Sequence, residues 1–109
     1  MNKLGIEGMD GKIEYIREQL NDMDDCIQIA EEASELAKAA LKYIRVKYGN
    51  SPTPVSVEEA EQNLKEEIAD IKNAILIHDR YNSWKDDITD IMHKKLDRAI
   101  DRFVERSNK

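Results

Sequence analysis

Apolar residues recur every three or four positions along most of the chain, and that spacing predicts helices. Ile13, Ile16 and Leu20 share a stripe, which places a first helix from about Lys12 to Met23. Ile29, Ala33, Leu36, Ala40 and Ile44 mark the core-facing side of a second, from about Cys26 to Tyr48. Between them, Asn21-Asp22-Met23-Asp24-Asp25 reads as a helix end followed by an N-cap, either Asp24 or Asp25. Gly49-Asn50 gives a stop that tolerates positive φ, and Ser51-Pro52-Thr53-Pro54 is a loop. Ser56 and Glu59 form a capping box for a third helix, whose stripe is Ala60, Leu64, Ile68, Ile71 and Ile75. That helix runs to about His78 or Tyr81, and Asn82-Ser83 breaks it. Ser83 with Asp86 then caps a fourth helix carrying Trp84, Ile88, Ile91, Leu96, Ile100 and Phe103. The expected fold class is all-α: about four helices bundled into one domain over residues 1–109, with the glycine-bearing stretch 1–11 irregular.

Composition agrees with helices, because Glu, Lys, Ala, Leu, Ile and Asp dominate while Gly and Pro are few. The net charge of -6 argues against a nucleic-acid surface, which needs dense Lys and Arg on phosphates. It leaves a nucleotide substrate open, because a bound cation reverses the local field. The single cysteine, Cys26, has no partner for an intramolecular disulfide, which suits a reducing cytoplasm. The opening MNKLGIEGMDGK has no apolar core of a secretory signal, and no apolar run approaches the ~20 residues of a membrane helix. A cytoplasmic protein is therefore expected. A chain of 109 residues builds only a modest core, so a homodimer or homotetramer is expected as well.

Two acidic clusters change the picture. Glu31-Glu32-Ala33-Ser34-Glu35 lies on the second helix and Glu66-Glu67-Ile68-Ala69-Asp70 on the third. Glu32 and Glu35 are i,i+3 neighbours, as are Glu67 and Asp70, so each pair points the same way. Both pairs are interleaved with the apolar stripes and flank them. Ala30, Ala33, Ala37 and Ala69 are small enough for the two helices to approach closely. Four carboxylates then converge, and their mutual repulsion is relieved by a divalent cation. All-oxygen ligation favours Mg²⁺, or Mn²⁺, over Zn²⁺.

The paired motif, Glu31-Glu32-x-x-Glu35 followed by Glu67-x-x-Asp70, resembles the signature of the all-α NTP pyrophosphatase superfamily. The stretches Gln28–Leu36 and Asn63–Ile71 look like the small single-domain MazG-like proteins of bacteria and phages, and the likeness extends over about residues 25 to 103. The resemblance implies a Mg²⁺-dependent nucleotide pyrophosphohydrolase that converts a nucleoside triphosphate to monophosphate and pyrophosphate, usually as a dimer or tetramer. It implies Glu32, Glu35, Glu67 and Asp70 as metal ligands. The segment between the motif halves is longer than in compact MazG domains, because of the Pro-containing loop.

Phosphoryl transfer depends on positioning and charge neutralisation, so further residues can be assigned by chemistry. Glu31, the spare acid beside Glu32, is the candidate to orient or deprotonate the attacking water. Lys95 and Arg98, on one face of the fourth helix with Arg102, are candidates for phosphate oxygens. Asn73, i+3 from Asp70, is a candidate for substrate contact. Trp84 and Tyr81 read as helix-junction packing before base stacking. Asp90-x-x-His93 is no di-iron signature, since no Glu-x-x-His exists. Two alternatives stay open: a helical oligomerisation or regulatory module with a structural metal, and a sibling enzyme acting as phosphoribosyl-ATP pyrophosphohydrolase or dUTPase.

Overall fold

The computed structural model describes residues 1–49 and 54–108, and among them every regular element is an α-helix. The helices are α1 (Met9–Gln19), α2 (Asp22–Tyr48), α3 (Val57–Ile77) and α4 (Tyr81–Ser107). The chain divides into two compact units, Met1–Asp79 and Arg80–Lys109. No described helix is long and apolar enough to cross a membrane.

Local chemistry sets the helix ends, and several differ from the sequence expectation. α1 begins at Met9, inside the stretch expected to be irregular, and ends at Gln19. Asn21, and neither Asp24 nor Asp25, caps α2: its side chain accepts the Asp24 N–H at 2.9 Å, and the Asp24 carboxylate returns the bond. The motif is a capping box written with Asn and Asp. α2 ends at Gly49 with φ -79°, so no left-handed residue stops it there. Gly49 is needed for space instead, because a Cβ there would collide with the Arg45 carbonyl oxygen. Asn50 and Ser51–Thr53, the rest of the expected stop and loop, lie outside the described residues. Ser56 caps α3, its Oγ accepting the Glu59 N–H at 3.1 Å, but among the described residues the Glu59 side chain does not return the bond, so the expected capping box is half formed.

The chain turns after Ile77, not at Asn82-Ser83. Both of those residues lie inside α4, which has Arg80 at its N-cap position and no side-chain cap. The Ser83 hydroxyl donates to the Arg80 carbonyl at 2.9 Å, so it serves the helix from within.

α2 and α3 form an antiparallel hairpin, since the start of α2 meets the end of α3. The Asp25 carboxylate accepts the Asp79 N–H at 3.1 Å, and Cys26 Sγ lies 3.4 Å from His78 Nε2. Cys26 is thus an exposed side chain against a buried imidazole. The seam between the helices is narrow, because its fully buried apolar positions are mostly alanines: Ala39, Ala60 and Ala74, joined by Ile77. The buried and half-buried positions include 28, 29, 32, 36, 39, 40, 42, 43 and 46 on α2, and 60, 63, 64, 67, 71, 74, 76 and 77 on α3. Ile29, Leu36, Ala40, Ala60, Leu64 and Ile71 of the expected stripes are among them, whereas Ala33 and Ile75 are exposed. Ile44 is 53% exposed and Ile68 42% exposed, so both lie outside the seam.

α1 joins this hairpin through one side chain above all. Arg17 reaches the end of α3, donating to the carbonyls of Leu76 at 2.6 Å and Ile77 at 3.3 Å, while Glu14 holds its other end at 2.9 Å. A guanidinium there satisfies carbonyls left without helical partners and complements the negative end of the helix dipole. The Arg17 side chain is only 13% exposed, so its removal leaves half-buried carbonyls unpaired. Arg17→Met is therefore expected to destabilise the fold by about 2 kcal/mol, read as a lower urea midpoint at unchanged slope. An unchanged midpoint would show that water replaces the guanidinium without loss.

α4 is amphipathic but has no buried residue among its own. Tyr81 and Ile88 are half-buried, while Trp84, Ile91, Leu96, Ile100 and Phe103 are exposed. The Arg80 guanidinium lies over the Trp84 ring at 5.9 Å, so this aromatic is a cation platform and not buried junction packing.

Candidate metal centre

The hairpin brings two of its carboxylates into the seam itself. Glu32 stands between Ile29 and Leu36 in the α2 register, and Glu67 between Leu64 and Ile71 in the α3 register. Side chains at such positions are ordinarily apolar, because a charge there loses hydration. Both glutamates are half-buried, whereas Asp70, one turn beyond Glu67, is exposed. Flanking positions were expected for these acids; the structure places two of them at the contact and one at its rim.

Glu32, Glu67 and Asp70 each offer a carboxylate oxygen within 4.8 Å of the others. Octahedral oxygen ligands at the ~2.1 Å of Mg²⁺ stand about 3–4 Å apart, so the three oxygens need only a small contraction to share one such ion. The electrostatics point the same way. The Glu67 carboxyl is raised above the ordinary glutamate range, first by its burial and then by the charges of Asp70, Glu32, Glu35 and Glu66. A carboxylate pushed up by other carboxylates has no cation of its own to balance it. Among the described residues the salt bridges run elsewhere: Glu14 to Arg17, Glu35 to Lys38 and Glu61 to Lys65.

Glu35, expected as the fourth ligand, is not part of the three-carboxylate group. It is exposed, and its Oε1 pairs with Lys38 Nζ at 3.3 Å. It remains close enough for its charge to act on Glu67. Glu31 is exposed on the neighbouring face of α2. No family model, curated protein or solved structure matches this chain. The residues themselves therefore carry the whole of the functional argument.

The candidate substrate residues divide between the two units. Asn73 is on α3, exposed, one turn beyond Asp70, and it lines a groove against α1. Lys95 and Arg98 are exposed on α4, in the second unit. His93 is exposed on α4, and His78 is buried against Cys26 at the far end of the hairpin from the loop. Sequence reasoning missed Asp25, which is 1% exposed and whose Oδ1 has no hydrogen-bond partner among the described residues. Its proximity to three other aspartyl and asparaginyl residues hides it, since the whole stretch 21–25 reads as capping sequence.

Proposed function

We propose that the chain is a Mg²⁺-dependent nucleoside triphosphate pyrophosphohydrolase of the MazG-like, all-α type, cytoplasmic and active as a homodimer or homotetramer. The observation that supports this reading most is the pair of glutamates in the α2–α3 seam, joined by Asp70 at its rim within 4.8 Å. Two acids at core positions cost the apo fold stability, and that cost is understandable where a cation offsets it. Glu32, Glu67 and Asp70 would hold the ion on the hairpin, with Glu35 contributing negative charge nearby. When bound, the ion neutralises phosphate oxygens and makes an attacking water more acidic.

The protein's own groups do the rest. Glu31, exposed and adjacent to Glu32 in the chain, is the group proposed to accept a proton from that water. Asn73, a neutral amide, would contact the nucleotide without adding charge. The products are the monophosphate and pyrophosphate. Exposure of the apolar face of α4, including Leu96, Ile100 and Phe103, supports assembly, because a surface of that kind is normally covered.

The deciding experiment is pyrophosphate release from a panel of nucleoside triphosphates with and without Mg²⁺. Release that requires the ion separates the enzyme from a helical regulatory module, and the panel separates a general hydrolase from dUTPase or phosphoribosyl-ATP pyrophosphohydrolase. A simpler measurement tests the ion alone. Millimolar Mg²⁺ or Mn²⁺ is expected to raise the melting temperature in proportion to the logarithm of its concentration above saturation. A flat melting temperature, with no heat of binding in calorimetry, removes the metal centre and the hydrolase with it.

A further inference from the structure

α2 carries a second stripe besides the one packed on α3. Ile27, Ala30, Ser34, Ala37, Leu41 and Ile44 follow one another at alternating steps of three and four, and Met23 and Tyr48 continue the alternation at either end. Strict alternation of this kind is the seven-residue repeat of a coiled-coil seam. All of these positions are exposed, the five large side chains between 48 and 69%. The stripe lies about half a turn around the helix from the Ala39 seam. α2 therefore has two packing faces, and among the described residues only one of them is covered.

Side-chain size along the stripe is graded, small in the middle and large toward the ends. Two copies of α2 running antiparallel, with a twofold axis midway between Ser34 and Ala37, stack it in matched layers. Ser34 then meets Ala37 of the second copy, Ala30 meets Leu41, Ile27 meets Ile44 and Met23 meets Tyr48. The small central layers let the two backbones approach, and Ala30 leaves room for Leu41.

The charges beside the stripe select the same arrangement. Asp24, Glu31, Lys38 and Arg45 stand seven residues apart along one edge of it, in the order acid, acid, base, base. In an antiparallel pair this edge faces its own reversal, so Glu31 meets Lys38 and Asp24 meets Arg45, each twice across the axis. In a parallel pair the edge faces Cys26, Ala33 and Ala40 instead, which offer no opposite charge. The helix dipole accounts for Asp24 and Arg45, in the first and last turns, but Glu31 and Lys38 lie mid-helix, beyond its reach. Within one chain Lys38 pairs with Glu35 at 3.3 Å, and with both side chains more than half exposed that contact is weak.

We infer that two copies of the chain pair through this outer face of α2, antiparallel and about a twofold axis. A surface complementary to its own reversal fits a second copy of itself, as an isologous contact requires. The pairing gives the proposed homodimer a surface and a direction, and it stands whether or not the carboxylates hold a metal. It also brings Lys38 of the second copy to Glu31, the group proposed to accept a proton from water. That last consequence, a cation supplied by each subunit beside the other's centre, rests on the hydrolase reading.

Light scattering on the full chain tests the pairing, with a dimer mass expected at micromolar concentration. Leu41→Glu combined with Ile44→Glu puts charge into the seam and is expected to give a monomer. Its circular dichroism is expected to match wild type, because both positions are exposed in the single chain. Lys38→Glu and Glu31→Lys each set like charges against one another, and each is expected to weaken the dimer about tenfold. An equimolar mixture of these two variants restores every opposite-charge pair and is expected to recover wild-type affinity. A wild-type monomer, or a dimer that survives Leu41→Glu with Ile44→Glu, overturns the pairing. A mixture that associates no more tightly than either variant alone overturns its antiparallel direction. Calorimetry with Mn²⁺ reads the carboxylates separately: a wild-type dimer that binds no Mn²⁺ removes the metal centre and leaves the pairing standing.

Discussion

Glu67→Gln is expected to reduce Mg²⁺-dependent pyrophosphate release by about 10²-fold or more while the helices stay folded. The amide keeps the size and helix propensity of the glutamate but withdraws one negative ligand from the seam. A transition state held by an ion loses much of its charge stabilisation when that ion is poorly held. Stability of the apo protein is expected to rise, because the carboxyl removed is the one raised by burial and by Asp70, Glu32, Glu35 and Glu66. A rise in melting temperature together with a fall in turnover is a signature that simple misfolding cannot produce. Glu59→Gln is the control, since Glu59 lies on the same helix but contributes its N–H to the Ser56 cap. Equal turnover in both variants would identify Glu67 as an ordinary charged position and end the hydrolase reading.

Metal affinity should depend steeply on pH over the range in which Glu67 titrates. Its carboxyl sits above the ordinary glutamate value in the folded chain, so a proton and a cation compete for it there. The sign for stability follows from linkage. A group raised in the folded state stabilises the apo fold fully below its unfolded value, and that stabilisation is lost as pH rises through the folded value. The apo protein is therefore expected to melt higher at mildly acid pH than at neutral pH, as far as Glu67 governs the change. Mn²⁺ binding should run the other way, weakening about tenfold per pH unit once Glu67 is protonated. In the Glu67→Gln variant both trends should flatten. Parallel trends in wild type and variant would assign the pH response to other groups.

Much of the fold could be read from the sequence, and the losses have identifiable causes. Helix existence was legible because the 3.6-residue period recurs over long stretches, and the Ser56 cap was legible because its spacing is specific. The contact face of α2 was harder to read. Alanines at 30, 33, 37, 39 and 40 surround the helix, so small residues alone do not show which side packs. Ala39 lies in the seam and Ala33 outside it, which moves the register and puts Glu32 at the contact. The turn before α4 was misplaced because Asn82-Ser83 has the composition of a break, whereas His78, Asp79 and Arg80 do not. Three of the four expected ligands come together; Glu35 is turned to Lys38, a partner that the i,i+3 spacing from Glu32 did not reveal.

If the proposed centre binds a cation, the alanine seam bears on which ion it prefers. Ala39, Ala60 and Ala74 carry no side-chain torsion that could adapt, so helix spacing there is set by hard contact between methyl groups and backbone. The gap across which Glu32 faces Glu67 is thus a fixed gauge, cut by residues outside the carboxylate group. Widening it by a single larger side chain, as in Ala60→Val, is expected to separate the opposed carboxylates and, in the proposed centre, to shift preference from the smaller Mg²⁺ toward the larger, more adaptable Ca²⁺, read by calorimetry with each ion. In the proposed centre the ionic radius would then be set at the alanines, at a distance the acids themselves do not control.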